Sequence, residues 1–237
     1  MTIICALLLA VQFVVVSLGG FAGLQEVFVW LGLSRDGLMH GRVWQFGTHV
    51  FLHGNWLHFI PNLIVIYMIG GRVHRIIGGR GFLKVFWGGV LLASAFHLLL
   101  HPAQPMGLGE MANAPIVGAS GGAMALLIAL TSLSPASKMW PLPVSGKNLG
   151  RGLLLAAVLL FLITPGLGIP GLSGMGRAVM NWKADEGAGM ESLFSIGHIY
   201  HVGGGLMGLL YCRWLMRRPV TLEELQRKRE KKEGLVA

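Results

Sequence analysis

No acidic residue falls within any long apolar stretch of this 237-residue chain. The ten acids lie between or beyond those stretches: Glu26, Asp36, Glu110, Asp185, Glu186, Glu191, Glu223, Glu224, Glu230 and Glu233. That lack excludes several classes of protein. A carboxylate proton relay or a cation-coupled carrier needs acids at membrane depth. An intramembrane aspartyl protease needs a pair of aspartates there. The pattern His-Glu-x-x-His is also missing, so a zinc protease has no signature here. Cysteine is nearly absent. Cys5 and Cys212 both fall near inner ends of apolar stretches, where a disulfide is not expected. Charge of either sign is scarce, at 12% of residues against 54% hydrophobic. A soluble domain carries about a quarter.

What is present is apolar length. Six stretches approach spanning length: about 3–22, 53–71, 82–100, 116–134, 152–170 and 196–216. The expected fold is all-α, a polytopic bundle of six transmembrane helices. Residues 1–216 form one membrane domain and 217–237 a charged cytoplasmic tail. The first stretch lacks a basic leader and outruns a typical signal-peptide core, so it reads as a span.

The formal charge of +9 suggests nucleic acid until it is mapped. With the N-terminus inside, 15 of the 19 Lys and Arg fall inside. Only Arg35, Arg42, Arg177 and Lys183 fall outside. The positive-inside rule then puts both termini in the cytoplasm, with the lipid bilayer and not nucleic acid as the partner. A bacterial cell membrane is the expected location.

The connecting segments differ in kind. Outer segment 25–50 mixes Trp, Phe, Gly and scattered charge, as a structured loop at the interface does. Inner segment 133–152 is punctuated by Pro and Gly and reads as a connector. Outer segment 171–195 is long and Gly-rich, and composition fits a lid and a plain connector equally.

Polar groups inside spans are costly and are functional candidates. They are His53, His58, Asn62, His97, Ser120, His198 and His201. Ser120 lies five residues past Pro115, on the order of 8 Å below the outer end at 1.5 Å per residue. His201 lies roughly 10 Å in by the same count. Both therefore occupy one outward-facing layer. His58 and Asn62 are four apart and share a helix face. His201, Gly204, Gly205 and Gly208 share another, with one imidazole followed by no side chains. Span four offers the small residues Gly118, Ala119, Gly121, Gly122, Ala123 and Ala125 in return. Close approach of spans four and six would bring Ser120 to His201.

A serine hydroxyl needs a base within hydrogen-bond reach, and a neutral imidazole serves near pH 7. No acid is available to orient that base, so the arrangement would be a Ser–His dyad. The Ser120 N–H, His58 and the Asn62 amide are candidate donors to an oxyanion. No cofactor and no metal is required.

These residues resemble the rhomboid family of intramembrane serine proteases. The matching motifs are Gly118-Ala119-Ser120-Gly121 on span four, His53-x4-His58-x3-Asn62 on span two and His201-x2-Gly204-x3-Gly208 on span six. The resemblance implies that Ser120 is the nucleophile, His201 the base, and His58 and Asn62 the oxyanion donors. It places Trp44 in the first outer loop and makes span five with the 171–195 cap a lateral gate. The implied substrates are single-span membrane proteins, cut near their outer end after a small residue in a helix-unstable segment. Two positions depart from the family pattern. Trp44 is followed by Gln45 where arginine is common, with Arg42 near, and Met124 stands where some bacterial members have an aromatic.

Plainer readings stand beside these. The alternative for Ser120 is a packing residue, and for His58 with Asn62 a pair fixing helix packing. His53 reads as structural, in a network with His49, and His97 as interfacial. His198 competes with His201 as base. Two other functions fit the composition: a catalytically silent relative that binds transmembrane clients, and a heme or metal protein built on the histidines.

Overall fold

Gly78 takes φ +75° and ψ 172°, outside the helical region and disfavoured for any residue with a Cβ. The helical run Trp56–Leu100 breaks there. Beyond the break the chain folds back, since a Cβ on Gly70 would lie 2.9 Å from the Phe82 ring. One hydropathic run is thus two legs, matching the second and third apolar stretches.

The computed structural model describes residues 1–100, 115–138, 143–181 and 197–217, with positions 226, 229 and 230. Helix α1 is Thr2–Ser17. Four short helices follow, α2 (Gly20–Gly23) and then, in the outer segment, α3 (Gln25–Leu31), α4 (Arg35–Met39) and α5 (Gln45–Thr48). A 3-10 turn, His49–Phe51, leads to α6 (Trp56–Ile64). One π-helical turn, Val65–Ile69, joins α6 to α7 (Gly70–Leu100). Then come α8 (Ser120–Leu133), α9 (Gly146–Leu162), α10 (Leu172–Asn181) and α11 (His198–Met216). The chain is all-helical among the described residues, with two isolated bridges, Leu33–Ile116 and Lys138–Ser145.

Each apolar stretch carries a helix, but the bounds differ where caps overrule hydropathy. The second stretch begins at 53, whereas α6 starts at Trp56, after Asn55 accepts the His58 N–H at 2.8 Å. His53 therefore precedes the helix. The fourth begins at 116, whereas α8 starts at Ser120. The fifth, 152–170, is helical from Gly146, capped by Ser145, and stops at Leu162 before Pro165. Proline disfavours helix in the residue before it. Among the described residues one helical run, Trp56–Leu100, is long and apolar enough to cross a membrane; α1 and α8 are shorter apolar helices.

The second leg of α7 packs with α8 and α11 as the central trio. Its core includes Phe82, Val85, Phe86, Val90, Leu126 and Ala129. Most of segment 171–195 and nearly all of the tail lie outside the described residues, as do Glu110, Asp185, Glu186 and Glu191.

Candidate active site

The site is built on the outer segment. Gln45 is fully buried there, accepting from the Ser34 N–H at 3.1 Å and donating to the carbonyls of Val29 and Trp30 at 3.0 and 3.2 Å. The departure from arginine at this position is thus a neutral amide that ties three points of one loop together. Arg42 instead lies over the Trp30 ring, 4.4 Å from its centroid, and Trp44 stacks on that ring while donating to the Trp30 carbonyl. The segment is folded, as its composition implied. It then grips the approach to α8. Leu33 and Ile116 exchange two backbone hydrogen bonds, at 2.9 and 2.8 Å, and the Gly118 N–H donates to the His49 carbonyl at 2.9 Å.

Ser120 is the first residue of α8 and is partly exposed. Its N–H is therefore among those with no partner inside the helix. The turn before it depends on Gly118, whose φ is +111°. A Cβ there would lie 2.7 Å from His58 Nε2, so the His58 ring covers the turn closely. The Ala119 N–H donates to His53 Nε2 at 3.4 Å. The His53 ring meets His58 and Phe59 edge-on, with centroids 5.0 and 5.2 Å away.

Helix α11 meets α8 through glycine. A Cβ on Gly204 would overlap the Gly121 carbonyl, and one on Gly208 the Ala125 carbonyl. A step of four on one helix matches a step of four on the other, in the same direction, so the helices run parallel. By that register His201, three residues before Gly204, is level with Gly118, three before Gly121. The starts of the two helices, carrying Ser120 and His201, thus adjoin. His201 is partly buried and within electrostatic reach of His198 and His58. His40 pairs with Asp36, exposed in α4 and its cap, and among the described residues no carboxylate pairs with His201.

Asn62 is buried and donates from its amide to the His58 carbonyl at 2.8 Å, one turn back. That bond uses one amide N–H and leaves a second. Met124 packs with its Cγ 3.4 Å from where a Gly205 Cβ would be, one turn deeper than His201. His198 is buried beside His201, and His97 is partly buried in the last turn of α7. His53 does not join a side-chain network with His49: its ring lies against the Ala119 N–H, His58 and Phe59. The His49 ring faces the Gln45 carbonyl through Nδ1 at 2.6 Å and the Tyr200 hydroxyl through Nε2 at 2.7 Å. Burial holds the His49 imidazole below its usual range, at about 4, against the opposing effect of the Gln45 carbonyl.

Sequence reasoning missed Tyr200, and it named Gln45 and His49 without the bonds they make. The spacing Gln45-x3-His49 hints at one helix face, but nothing in the chain pairs residue 49 with residue 200.

Fold and site define a helical bundle that gathers its neutral polar side chains at the start of two parallel helices. A family model described as Rhomboid domain matches residues 40–218, more than half of the chain. RHOMBOID-like protein 12, mitochondrial, of Arabidopsis thaliana is 28% identical over 116 residues, 46% of this chain and 34% of that protein. Rhomboid protease GlpG of Salmonella newport is 36% identical over 56 residues, 24% of this chain and 20% of that protein. The chain thus aligns with about a third of the first relative's length and a fifth of the second's. The chain belongs to the rhomboid family, whose members are integral membrane proteins.

Proposed function

We propose that the chain is an intramembrane serine endopeptidase that cuts single-span membrane proteins near the outer leaflet. Six crossings, both termini in the cytoplasm and residues 217–237 as a cytoplasmic tail belong to this reading. The observation that carries it is the parallel glycine seam, which aligns His201 with the turn leading to Ser120. In this reading Ser120 Oγ attacks the scissile carbonyl while His201 takes its proton. His201 then gives that proton to the leaving amine, and water hydrolyses the acyl-enzyme by the same route in reverse. The oxyanion is met by the Ser120 N–H, by the His58 ring and by the Asn62 N–H not used on His58.

The test is cleavage of a single-span reporter in liposomes. Ser120→Ala and His201→Ala each lower turnover by about 10⁴-fold or more. A fluorophosphonate labels the wild type at Ser120 and leaves Ser120→Ala unlabelled. Turnover by Ser120→Ala at the wild-type rate overturns the proposal. Client capture with no turnover by any form points to a silent, client-binding relative instead.

A further inference from the structure

With no carboxylate on His201 among the described residues, something else must hold the first turn of α11. Tyr200 is the immediate neighbour of His201 and is 1% exposed. Its hydroxyl lies 2.7 Å from His49 Nε2. His49 Nδ1 faces a carbonyl, which only accepts, so Nδ1 carries the proton. In the neutral ring Nε2 is then the acceptor, and the Tyr200 O–H donates to it. The Ser94 hydroxyl, anchored on the Val90 carbonyl at 2.8 Å, lies beside the same phenol oxygen. The Tyr200 ring is also wedged against α8. A Cβ on Gly121, the residue after Ser120, would lie 2.6 Å from it.

One side chain thus touches three parts of the site. It bonds to the outer segment through His49, meets α7 at Ser94, and packs on the backbone next to Ser120. Through Gln45 the chain of hydrogen bonds runs on to Ser34, Val29 and Trp30. The Tyr200 ring also meets the His201 ring edge-on, with centroids 6.5 Å apart.

We propose that Tyr200 is a positioning residue for His201, its hydroxyl locked by His49 so that the first turn of α11 keeps one orientation relative to Ser120. This rests on the Ser120–His201 reading above. The bond fixes the base without adding a negative charge to an apolar site, where a lone carboxylate would be costly. It contributes to the transition state and not to holding the substrate, so its loss lowers kcat and leaves KM nearly unchanged.

The experiment compares wild type, Tyr200→Phe, His49→Leu, His49→Gln and the double variant Tyr200→Phe/His49→Leu. All are full-length, in liposomes with the single-span reporter. Tyr200→Phe keeps the ring and removes the donor; kcat falls about tenfold with KM within about twofold. His49→Leu removes the acceptor and falls likewise. His49→Gln keeps an acceptor facing Tyr200 and stays within about threefold of wild type. The double variant is no worse than the worse single one, because both cut the same bond. Fluorophosphonate labelling slows in step with kcat. Wild-type kcat in Tyr200→Phe, whatever His49→Leu does, or a loss confined to KM, overturns the proposal. If Tyr200→Phe cannot be obtained folded, the Leu and Gln variants of His49 decide it, and equal kcat in those two overturns it. Wild type no faster than Ser120→Ala defeats the dyad itself. An active wild type with an undiminished Tyr200→Phe defeats the positioning role alone.

Discussion

Helices α8 and α9 follow one another in the chain and both read as apolar, yet they meet their surroundings differently. Nine of the 14 residues of α8 are buried, and these are chiefly small: Gly121, Gly122, Ala123, Ala125 and Ala129 among them. Only three of the 17 residues of α9 are buried, while Leu155 and Leu159 are 62% and 59% exposed. In lipid there is little hydrophobic drive to pull such leucines together, because acyl chains are as apolar as they are. Close packing must hold the bundle instead, and small residues permit it. The helix carrying Ser120 is therefore the tightly clasped one, and α9 is free to face lipid.

The contrast can be broken at its tightest point. Gly208→Leu forces a side chain into the Ala125 carbonyl, where backbone cannot yield. It costs about 3 kcal/mol or more, seen as loss of the cooperative thermal transition together with all cleavage. Gly118→Ala attacks the turn beside Ser120 and not the seam. Its φ of +111° strains a residue with a Cβ, by about 1–3 kcal/mol, and its methyl meets His58 Nε2. Cleavage falls by about tenfold or more while the protein still melts cooperatively. Leu155→Ala sharpens the contrast from the other side. Stability stays within about 0.5 kcal/mol and cleavage is unchanged, as a melting curve and the reporter assay would show. A large loss at Leu155 would mean that α9 is clasped like α8.

Much of this was legible beforehand. The motif glycines pointed to a helix seam, and Gly204 and Gly208 do lie against α8 backbone. The polar layer was legible because apolar spans make every histidine conspicuous. Helix bounds were less so, since hydropathy sees neither the Asn55 and Ser145 caps nor the stop before Pro165. The partner of His49 was invisible. A hydrogen bond spanning 151 positions leaves no periodicity in the chain.

Sequence alone determined the all-helical class, the family, and which residues offer hydroxyl, imidazole and amide groups, because these follow from composition and local spacing. Tertiary structure decided how those groups are held. Two glycines set the approach of α11 to α8, and a buried Gln45–His49–Tyr200 chain ties the outer segment to the helix bearing His201. The reason is physical. Directional bonds and backbone contacts between distant segments depend on where the folded chain places them.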